Sequence, residues 1–297
     1  MFSGLLKSGI LRWTLRVLVS AVFCVSALAK LLSIDHFELY VYSFGFFSLS
    51  VSYVLARLCI AAELALALFT LLGWYPRMMR VLTVLTLLFF SLFLCYTALA
   101  GRNDSCQCFG QLVEMNPLQS LVKNGVLILT VLGYYRVESG ERRTVSGKWR
   151  VWVSGVLLAV CVATPFVVSV PDSWLFGPQE EPYNREALAD ATAEGGVLAS
   201  MGVGKGEKLV AFVTPRCPYC KLAREKVGSM ARRHHIEDEK IVYVEPSDIS
   251  DSLFITITYG ARPLLMLMDG REVKATYHLR NVDENEVVEL SKTNRKK

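Results

Sequence analysis

The sequence of 297 residues has few of the features that mark a protein with a bound metal or nucleotide. It contains no internal repeat and no long low-complexity segment, and its stretch 203–206, Val-Gly-Lys-Gly, does not match a phosphate-binding motif closely. Histidine occurs four times, twice as the adjacent pair His234-His235, and no second CxxC motif accompanies Cys217-Pro-Tyr-Cys220. The chain therefore offers at most half of a zinc site, and we favour a redox-active dithiol as the interpretation of its one CxxC motif.

Charged residues are also scarce. They make up 20% of the chain, against 53% for hydrophobic residues, and the mean hydropathy is +0.37. Such a composition is too apolar for a soluble protein of this length, and it is uneven: the apolar residues concentrate before about residue 170 and the charged ones after it. This gradient predicts a membrane half followed by a soluble half. The net charge of +5 does not indicate nucleic-acid binding, because the basic residues lie mainly between hydrophobic segments.

The CxxC motif follows a short apolar run, 209–214, which predicts a buried strand. Pro215 ends this run, and Cys217 opens a helical segment that reaches about His234. At a helix N-terminus, unpaired backbone N–H groups and the helix dipole stabilise a thiolate, the form of sulfur that attacks disulfides. Cys220, about one turn later, can attack a mixed disulfide at Cys217 and release the partner. The pattern is typical of thiol–disulfide exchange.

The motif and a downstream segment resemble the thioredoxin and glutaredoxin proteins. The segment reads Tyr259-Gly-Ala-Arg-Pro-Leu-Leu-Met-Leu-Met-Asp-Gly-Arg-Glu-Val273 and is similar to the part of thioredoxin that carries the cis-proline, a strand, a tight turn and the next strand. The resemblance covers roughly 207–290. It implies that Pro263 is in cis and faces the CxxC, and that Arg262 lies beside the partner's chain. We therefore expect an α/β thioredoxin-like domain over 207–297, preceded over 171–206 by a linker and a leading helix.

Five segments are candidates for membrane spans, which need about 20 mainly apolar residues. They are approximately 10–32, 50–74, 78–100, 118–135 and 151–170. The fourth is the weakest, because Lys123 and Asn124 fall in its first turns, and Pro165 is expected to kink the fifth. A cleaved signal peptide is an alternative for the first, because Ala27-Leu-Ala29 mimics a cleavage site. The stretch 33–49 mixes aromatic and charged residues, as an interfacial helix or loop does.

Basic residues in short loops decide the orientation of such a protein. One side of the predicted spans collects Lys7, Arg12, Arg77, Arg80, Arg136, Arg142, Arg143, Lys148 and Arg150, and the other collects Lys30, Arg102 and Lys123. The first side is predicted to be cytoplasmic. Five spans then make the chain a multi-pass protein of a bacterial inner membrane, with its N-terminus in the cytoplasm. The soluble domain is predicted to be periplasmic, or otherwise extracytoplasmic.

The eight cysteines show a redox pattern rather than a disulfide scaffold. Four of them lie inside apolar segments and four form two close pairs; they are Cys24, Cys59, Cys95, Cys106, Cys108, Cys161, Cys217 and Cys220. The four cysteines in apolar segments are interpreted as packing residues rather than redox centres. The predicted topology places both close pairs in one oxidising compartment.

The pair Cys106-Gln-Cys108 carries a second resemblance. Cys106-Gln-Cys108-Phe-Gly110, followed by Lys123-Asn124 at the start of an apolar span, is similar to the MauE family of DoxX-like membrane proteins, and Ala29-Lys30-Leu31 and Glu63-Leu64 fit the same pattern. The similarity covers about 10–136 and implies a four-helix membrane domain over 1–136. We interpret 137–170 as a basic cytoplasmic loop and a fifth helix that tethers the soluble domain. MauE proteins are implicated in forming or maintaining disulfides in exported proteins, beside a thioredoxin-like partner, and DoxX relatives are associated with quinones.

Cysteines separated by one residue can close only a tight, strained ring, which exchanges readily. A static structural disulfide is the alternative for Cys106 and Cys108.

Ionisable residues inside spans are candidates for function. These are Lys30, Arg57, Glu63 and Lys123. The three basic ones lie toward the outer span ends and are expected to cluster near the CxC pair, where they favour a thiolate or polarise a quinone carbonyl; snorkelling to the headgroups is the alternative for the two lysines. Arg57 and Glu63 lie on different faces of one helix, so Glu63 is expected either to accept a proton or to hold a buried hydrogen bond.

These observations together predict a membrane-bound thiol–disulfide oxidoreductase. Its CxxC residues Cys217 and Cys220, with Pro263, would exchange disulfides with exported cysteine-containing proteins and with the Cys106/Cys108 pair. A membrane quinone pool would be the electron carrier, with no covalently bound cofactor, and lipid rather than nucleic acid would surround the membrane half. Three alternatives stay open: a conduit that carries reductant outward, a soft-metal (copper) handling protein, and a non-catalytic assembly factor. Methionine clusters expected of a copper carrier are lacking in the outer loops, and no cysteine pair suggests a reductant route from the cytoplasmic side.

Overall fold

A computed structural model gives the structure of the protein and describes residues 9–99, 117–138, 147–169 and 182–277, together with 279, 282, 284, 285, 287 and 288. The chain divides into two compact units. One comprises Met1–Val41 and Ser50–Ser169, and the other Tyr42–Leu49 and Val170–Lys297. The first contains most of the apolar sequence, as the composition gradient predicted. We refer to it as the membrane unit and to the other as the sheet unit.

The described part of the chain before residue 170 is helical. Its helices are α1 (Gly9–Leu32), α2 (Ile34–Tyr42), α3 (Leu49–Leu72), α4 (Pro76–Leu99), α5 (Pro117–Glu138) and α6 (Lys148–Val168). Four of them, α1, α3, α4 and α6, are long and apolar enough to cross a membrane, whereas the apolar section of α5 is the shorter stretch Leu118–Gly133. The structure therefore supports four of the five predicted spans by length and composition, and α5 stays a prediction. The stretch predicted as an interfacial helix or loop forms α2.

The helices of the membrane unit pack through an apolar core and expose apolar residues outward. Val19 and Phe23 of α1, Leu66 of α3, Leu87 of α4 and Val131 of α5 are buried together. In contrast, Phe89 and Leu92 of α4 are 66% and 71% exposed, a pattern that is costly in water and expected of helices that face lipid. Helix α6 is the extreme case, since its buried residues are Cys161 and Pro165. Pro165 lies inside α6 without ending it.

The sheet unit contains a four-stranded mixed sheet. Its elements are α7 (Arg185–Thr192), α8 (Val197–Ser200), β1 (Glu207–Phe212), α9 (Pro218–His234), β2 (Ile241–Val244), α10 (Pro246–Ile249), α11 (Asp251–Thr258), β3 (Leu264–Asp269) and β4 (Glu272–Tyr277). The strand order is β2-β1-β3-β4, with β1 parallel to β2 and antiparallel to β3, and with β3 antiparallel to β4. Strands β1, β3 and β4 and helix α9 follow the predicted pattern within a few residues.

The core of the sheet unit lies between the central strands and the flanking helices. Phe212 of β1 stacks edge-on against Phe254 of α11 at a ring-centroid distance of 5.8 Å. Met266 and Met268 of β3 are fully buried in the same cluster, as core residues. The alternating placement of these side chains on one face of β3 follows from the two-residue period of a strand.

The predicted leading helix over 184–199 is wrong in one respect, because two helices replace it. Asn184 caps α7, its Oδ1 accepting a hydrogen bond from the N–H of Ala187 at 3.1 Å. The break occurs at Gly195-Gly196, where Gly195 has a φ of +86° and a Cβ on Gly196 would lie 2.3 Å from the carbonyl oxygen of Ala191. Only glycine fits so close to the preceding helix. Most of the predicted linker, 171–181, lies outside the described residues.

Candidate functional site

The CxxC motif lies where β1 turns into α9. After Phe212, the N–H of Val213 still bonds to the carbonyl of Val244 at 3.0 Å, and the chain then leaves the sheet. Cys217 is the N-cap of α9, and its Sγ accepts a hydrogen bond from the backbone N–H of Cys220 at 3.3 Å. Pro218 occupies the first helical position, where its missing N–H leaves no bond unmade. The N–H of Cys220 also donates to the carbonyl of Cys217 at 3.1 Å, so this amide at the start of α9 is shared between the carbonyl oxygen and the sulfur of Cys217.

The two cysteines of this motif differ in their surroundings. Cys217 is partly exposed and Cys220 is 1% exposed; both are free thiols. Burial raises the pKa of the Cys220 thiol, and its hydrogen bond with Cys217 raises it further. Hydrogen bonds from the backbone and the hydroxyl of Thr214 act in the opposite direction, the hydroxyl lying 3.8 Å from Sγ of Cys220. Cys217 is therefore the sulfur that a partner can reach, and Cys220 the one that is shielded.

Pro263 lies at the same end of the sheet as the CxxC motif. The peptide bond between Arg262 and Pro263 is cis, as the resemblance implied. Leu264, the first residue of β3, pairs with Phe212, the last residue of β1, so the start of one strand adjoins the end of the other. Exposed aromatic side chains occur in both segments, since Tyr219 is 56% exposed and Tyr259 is 63% exposed.

A buried ion pair occupies the membrane unit. Nζ of Lys30 on α1 lies 2.6 Å from Oε1 of Glu63 on α3 and donates a second hydrogen bond to Oγ of Ser26 at 2.8 Å. Lys30 is 2% exposed and Glu63 is 3% exposed. The rings of Phe37 and Phe90 lie 5.6 and 5.4 Å from the ammonium group. Lys30 therefore does not snorkel, and Glu63 holds a buried hydrogen bond.

A small cavity adjoins this pair between four helices. It has a volume of about 30 Å³, and its walls include Ser26, Lys30, Glu63, Phe90, Lys123 and Asn124. Asn124 Nδ2 also donates to Oγ of Ser91 at 3.3 Å. The structure thus brings together three of the four predicted ionisable residues.

Arg57 does not join them, which corrects the expected cluster of all three basic residues. Its guanidinium group pairs with Glu38 of α2, and its Nη1 donates to the carbonyl of Tyr53 at 3.0 Å. Nε and Nη2 donate to the carbonyl of Ser169, just past the end of α6, at 3.0 and 2.5 Å. The reason for the separation is helical geometry, because residues six apart on α3 face different neighbours. Glu38 and Ser26 were not predicted as site residues.

The remaining predicted site residues, Cys106 and Cys108, lie outside the described residues. Cys24 and Cys59 are partly buried, Cys95 is exposed and Cys161 is buried. Within the described ranges, no group of three histidine, cysteine, aspartate or glutamate side chains is arranged to hold a metal ion.

Comparisons with known proteins match parts of the chain. The chain is 35% identical to Protein TlpB of Flavobacterium psychrophilum over 135 residues, which are 42% of this chain and 36% of that protein. The matched stretch therefore covers about a third of the length of that relative. No solved structure matches the chain. The family model of methylamine utilisation protein MauE matches residues 8–136, close to the range that the CxC motif and its flanking residues indicated. Residues 8–136 form a membrane domain of the MauE family.

Proposed function

We propose that the protein is a membrane-bound thiol–disulfide oxidoreductase with a thioredoxin-like sheet unit. The observation that carries the proposal is the asymmetric CxxC at the end of β1: a partly exposed Cys217 that caps α9, and a Cys220 that is 1% exposed. An accessible sulfur at a helix N-terminus with a shielded second sulfur one turn later is the arrangement that exchange through a mixed disulfide requires. The MauE domain and the membrane-capable helices support a location in a membrane.

The exchange proceeds in two substitutions at sulfur. A thiolate of the partner attacks Sγ of Cys217 in the Cys217–Cys220 disulfide, and the bond to Cys220 breaks. Cys220 leaves as a thiolate, which accepts the two hydrogen bonds of Thr214 and then a proton. The second thiolate of the partner attacks its own sulfur in the mixed disulfide and releases Cys217. The partner is oxidised by two electrons and the CxxC is reduced by two. Exported proteins with paired cysteines are the proposed partners.

The Cys106/Cys108 pair is proposed to reoxidise the CxxC within the same chain. A thiolate of Cys217 would attack one sulfur of a Cys106–Cys108 disulfide, and Cys220 would then displace the departing half. In a variant with Cys220 and one loop cysteine replaced by serine, a mild thiol oxidant such as diamide should oxidise Cys217 and the remaining loop cysteine to a disulfide that joins 1–169 to 182–297. Proteolysis in the linker 171–182 followed by non-reducing electrophoresis detects it. Fragments that separate without reductant, for both choices of loop cysteine, would contradict the internal relay.

A quinone is too large for the cavity lined by three of the residues predicted to bind it. The cavity beside Lys30, Glu63 and Lys123 measures about 30 Å³, whereas a protein cavity that admits benzene measures about 150 Å³. Arg57, the fourth predicted ligand, is hydrogen-bonded elsewhere to Glu38 and Ser169. We therefore derive no step through a quinone.

The proposed topology has five spans, with the sheet unit outside the cytoplasm. The placement of Lys123 and Asn124 in a cavity shared with α1, α3 and α4 supports α5 as a member of the bundle. A membrane-impermeant thiol reagent applied to intact cells should modify Cys217 after mild reduction. Modification only after the membrane is opened would reverse the orientation.

Trapping of partners tests the function itself. In Cys220→Ser the Cys217 thiolate can still attack the disulfide of an oxidised partner, but no Cys220 thiolate is there to displace that partner, so mixed disulfides should accumulate in covalent complexes that reductant releases. Cys217→Ser is the matched control, because it removes the accessible sulfur and leaves Cys220 buried. Non-reducing electrophoresis with mass spectrometry of the complexes gives the readout. Equal trapping by the two variants would exclude the assigned roles.

A further inference from the structure

The cavity in the membrane unit is polar on one side and apolar on the other. Helix α1 contributes Lys30, α3 contributes Glu63, and α5 contributes Lys123 and Asn124. Helix α4 contributes Phe90 and Leu87, which carry no charge. A cavity of about 30 Å³ with several polar walls has room for about two water molecules. Water, and not an organic ligand, is therefore the occupant that this cavity can hold.

One carboxylate oxygen of Glu63 lacks a hydrogen-bond donor among the described residues. Its Oε1 accepts from Lys30 at 2.6 Å, whereas its Oε2 is buried without a hydrogen-bond partner among the residues that the structure describes. An unsatisfied buried acceptor typically costs about 1–3 kcal/mol, and more for a charged group. Because Glu63 lines the cavity, a water molecule there can supply the missing donor.

A static ion pair explains only part of this arrangement. The Lys30–Glu63 contact alone would be a structural link between α1 and α3. It does not explain why a carboxylate with one unpartnered oxygen lines a water-sized cavity whose walls also include Lys123. Buried ionisable groups in a bundle, connected through water, are the arrangement by which protons move through apolar surroundings.

We propose that this cavity is a hydrated proton-exchange site, and that Glu63 accepts and releases a proton there. In the exchange, a hydronium ion in the cavity transfers its proton to Oε2 and leaves a water molecule, while Oε1 keeps its hydrogen bond from Lys30. Charge and atoms balance, and no oxidant or reductant takes part. Lys30 from α1 and Lys123 from α5 are the charged groups that face Glu63, and Cys59 lies one turn before it on α3. The proposal stands independently of disulfide exchange at Cys217.

Chemical labelling of the full-length protein tests it. A hydrophobic carbodiimide reacts with protonated carboxyl groups in apolar surroundings, and peptide mass spectrometry locates the product. In detergent micelles, labelling of Glu63 should increase as the pH falls. Glu38 is the internal control, because it is equally buried but pairs with Arg57, whose guanidinium group stays charged. It should be labelled far less over the same range.

Infrared titration covers the case in which the reagent cannot reach the cavity. A carboxylic-acid carbonyl band that grows with acidification, and that disappears in Glu63→Gln, supports the proposal with or without labelling. The absence of both the band and the pH-dependent labelling overturns it. Labelling of Glu63 and Glu38 with one common pH profile also overturns it, since the cavity would then give Glu63 no proton exchange that Glu38 lacks. Each outcome is independent of whether Cys220→Ser traps partners.

Discussion

The buried Arg57 should be among the most sensitive positions of the membrane unit. Its guanidinium group is 2% exposed and pairs with Glu38, whose side chain is 8% exposed. Arg57→Met removes the positive charge, leaves the carboxylate of Glu38 buried without it, and takes two donors from the carbonyl of Ser169. Breaking a buried ion pair by removal of one partner costs about 3–5 kcal/mol.

That free energy corresponds to a large change in thermal stability. For a domain of 150–250 residues, about 1 kcal/mol lowers Tm by roughly 2–4 °C, so Arg57→Met should lower it by roughly 6–20 °C. Arg57→Lys keeps the charge but lacks the planar fork that reaches Glu38 and Ser169 together, so its loss should be intermediate. In the double variant Arg57→Met with Glu38→Gln, most of the loss should be recovered, because no uncompensated charge remains.

Unfolding of the purified protein in detergent, followed by tryptophan fluorescence at one fixed heating rate, measures these differences. Arg77→Met is the matched control, since Arg77 is an exposed arginine in the first turn of α4. A Tm of Arg57→Met equal to that of the control would refute the reasoning. So would a double variant that is less stable than Arg57→Met alone.

Three further predictions concern the sheet unit. In Thr214→Val, alkylation of Cys220 should shift to higher pH relative to Thr214→Ser, because the hydroxyl hydrogen bond that lowers the pKa of this thiol is lost; equal titrations in the two variants would exclude this role. Burial raises the pKa of Cys220 above its usual 9.0. The contribution of this thiol to the free energy of unfolding of the reduced protein should therefore be fully present below pH 9.0, and it should be lost as the pH rises toward the folded-state pKa. Denaturant unfolding checks this, and Cys220→Ser should remove the fall. Gly196→Ala should destabilise by about 1–3 kcal/mol through the clash with Ala191, whereas Gly228→Ala, with its nearest contact at 3.6 Å, should be neutral or stabilising; the reverse order in urea unfolding would contradict the clash.

Local signals predicted the elements of this protein well. Hydropathy placed the long helices because the spans are continuous apolar runs, and the CxxC placed the β1–α9 junction because capping is a property of adjacent residues. The break after α7 was missed, although two consecutive glycines, Gly195 and Gly196, were a signal for it.

Side-chain partners were less predictable, because they join residues that are distant in sequence. Lys30 and Glu63 are 33 residues apart, and Arg57 is 112 residues from Ser169. Their helices could be predicted separately, but not the faces that meet. The sequence did contain a signal for Glu38. An arginine inside an apolar span needs an acidic partner, and the acidic residues between the first two predicted spans are Asp35 and Glu38.

Helix α6 is attached to the membrane unit at both ends. Near its start, the guanidinium group of Arg150 lies 5.0 Å from the ring of Trp74, and Ser154 hydrogen-bonds to Tyr75 at 3.1 Å. Past its end, the carbonyl of Ser169 is held by Arg57. Its 21 residues span about 32 Å at 1.5 Å per residue, close to the hydrocarbon thickness of about 30 Å.

A helix attached in this way cannot adjust its own tilt to a thicker or thinner bilayer. An isolated span responds to hydrophobic mismatch by tilting, but α6 would have to separate from Trp74 or from Arg57 to do so. The lipid around it must therefore adapt its thickness, or the whole bundle must tilt as one body. The point at which the chain leaves the membrane unit is consequently determined by the bundle, and not by the lipid composition of the membrane.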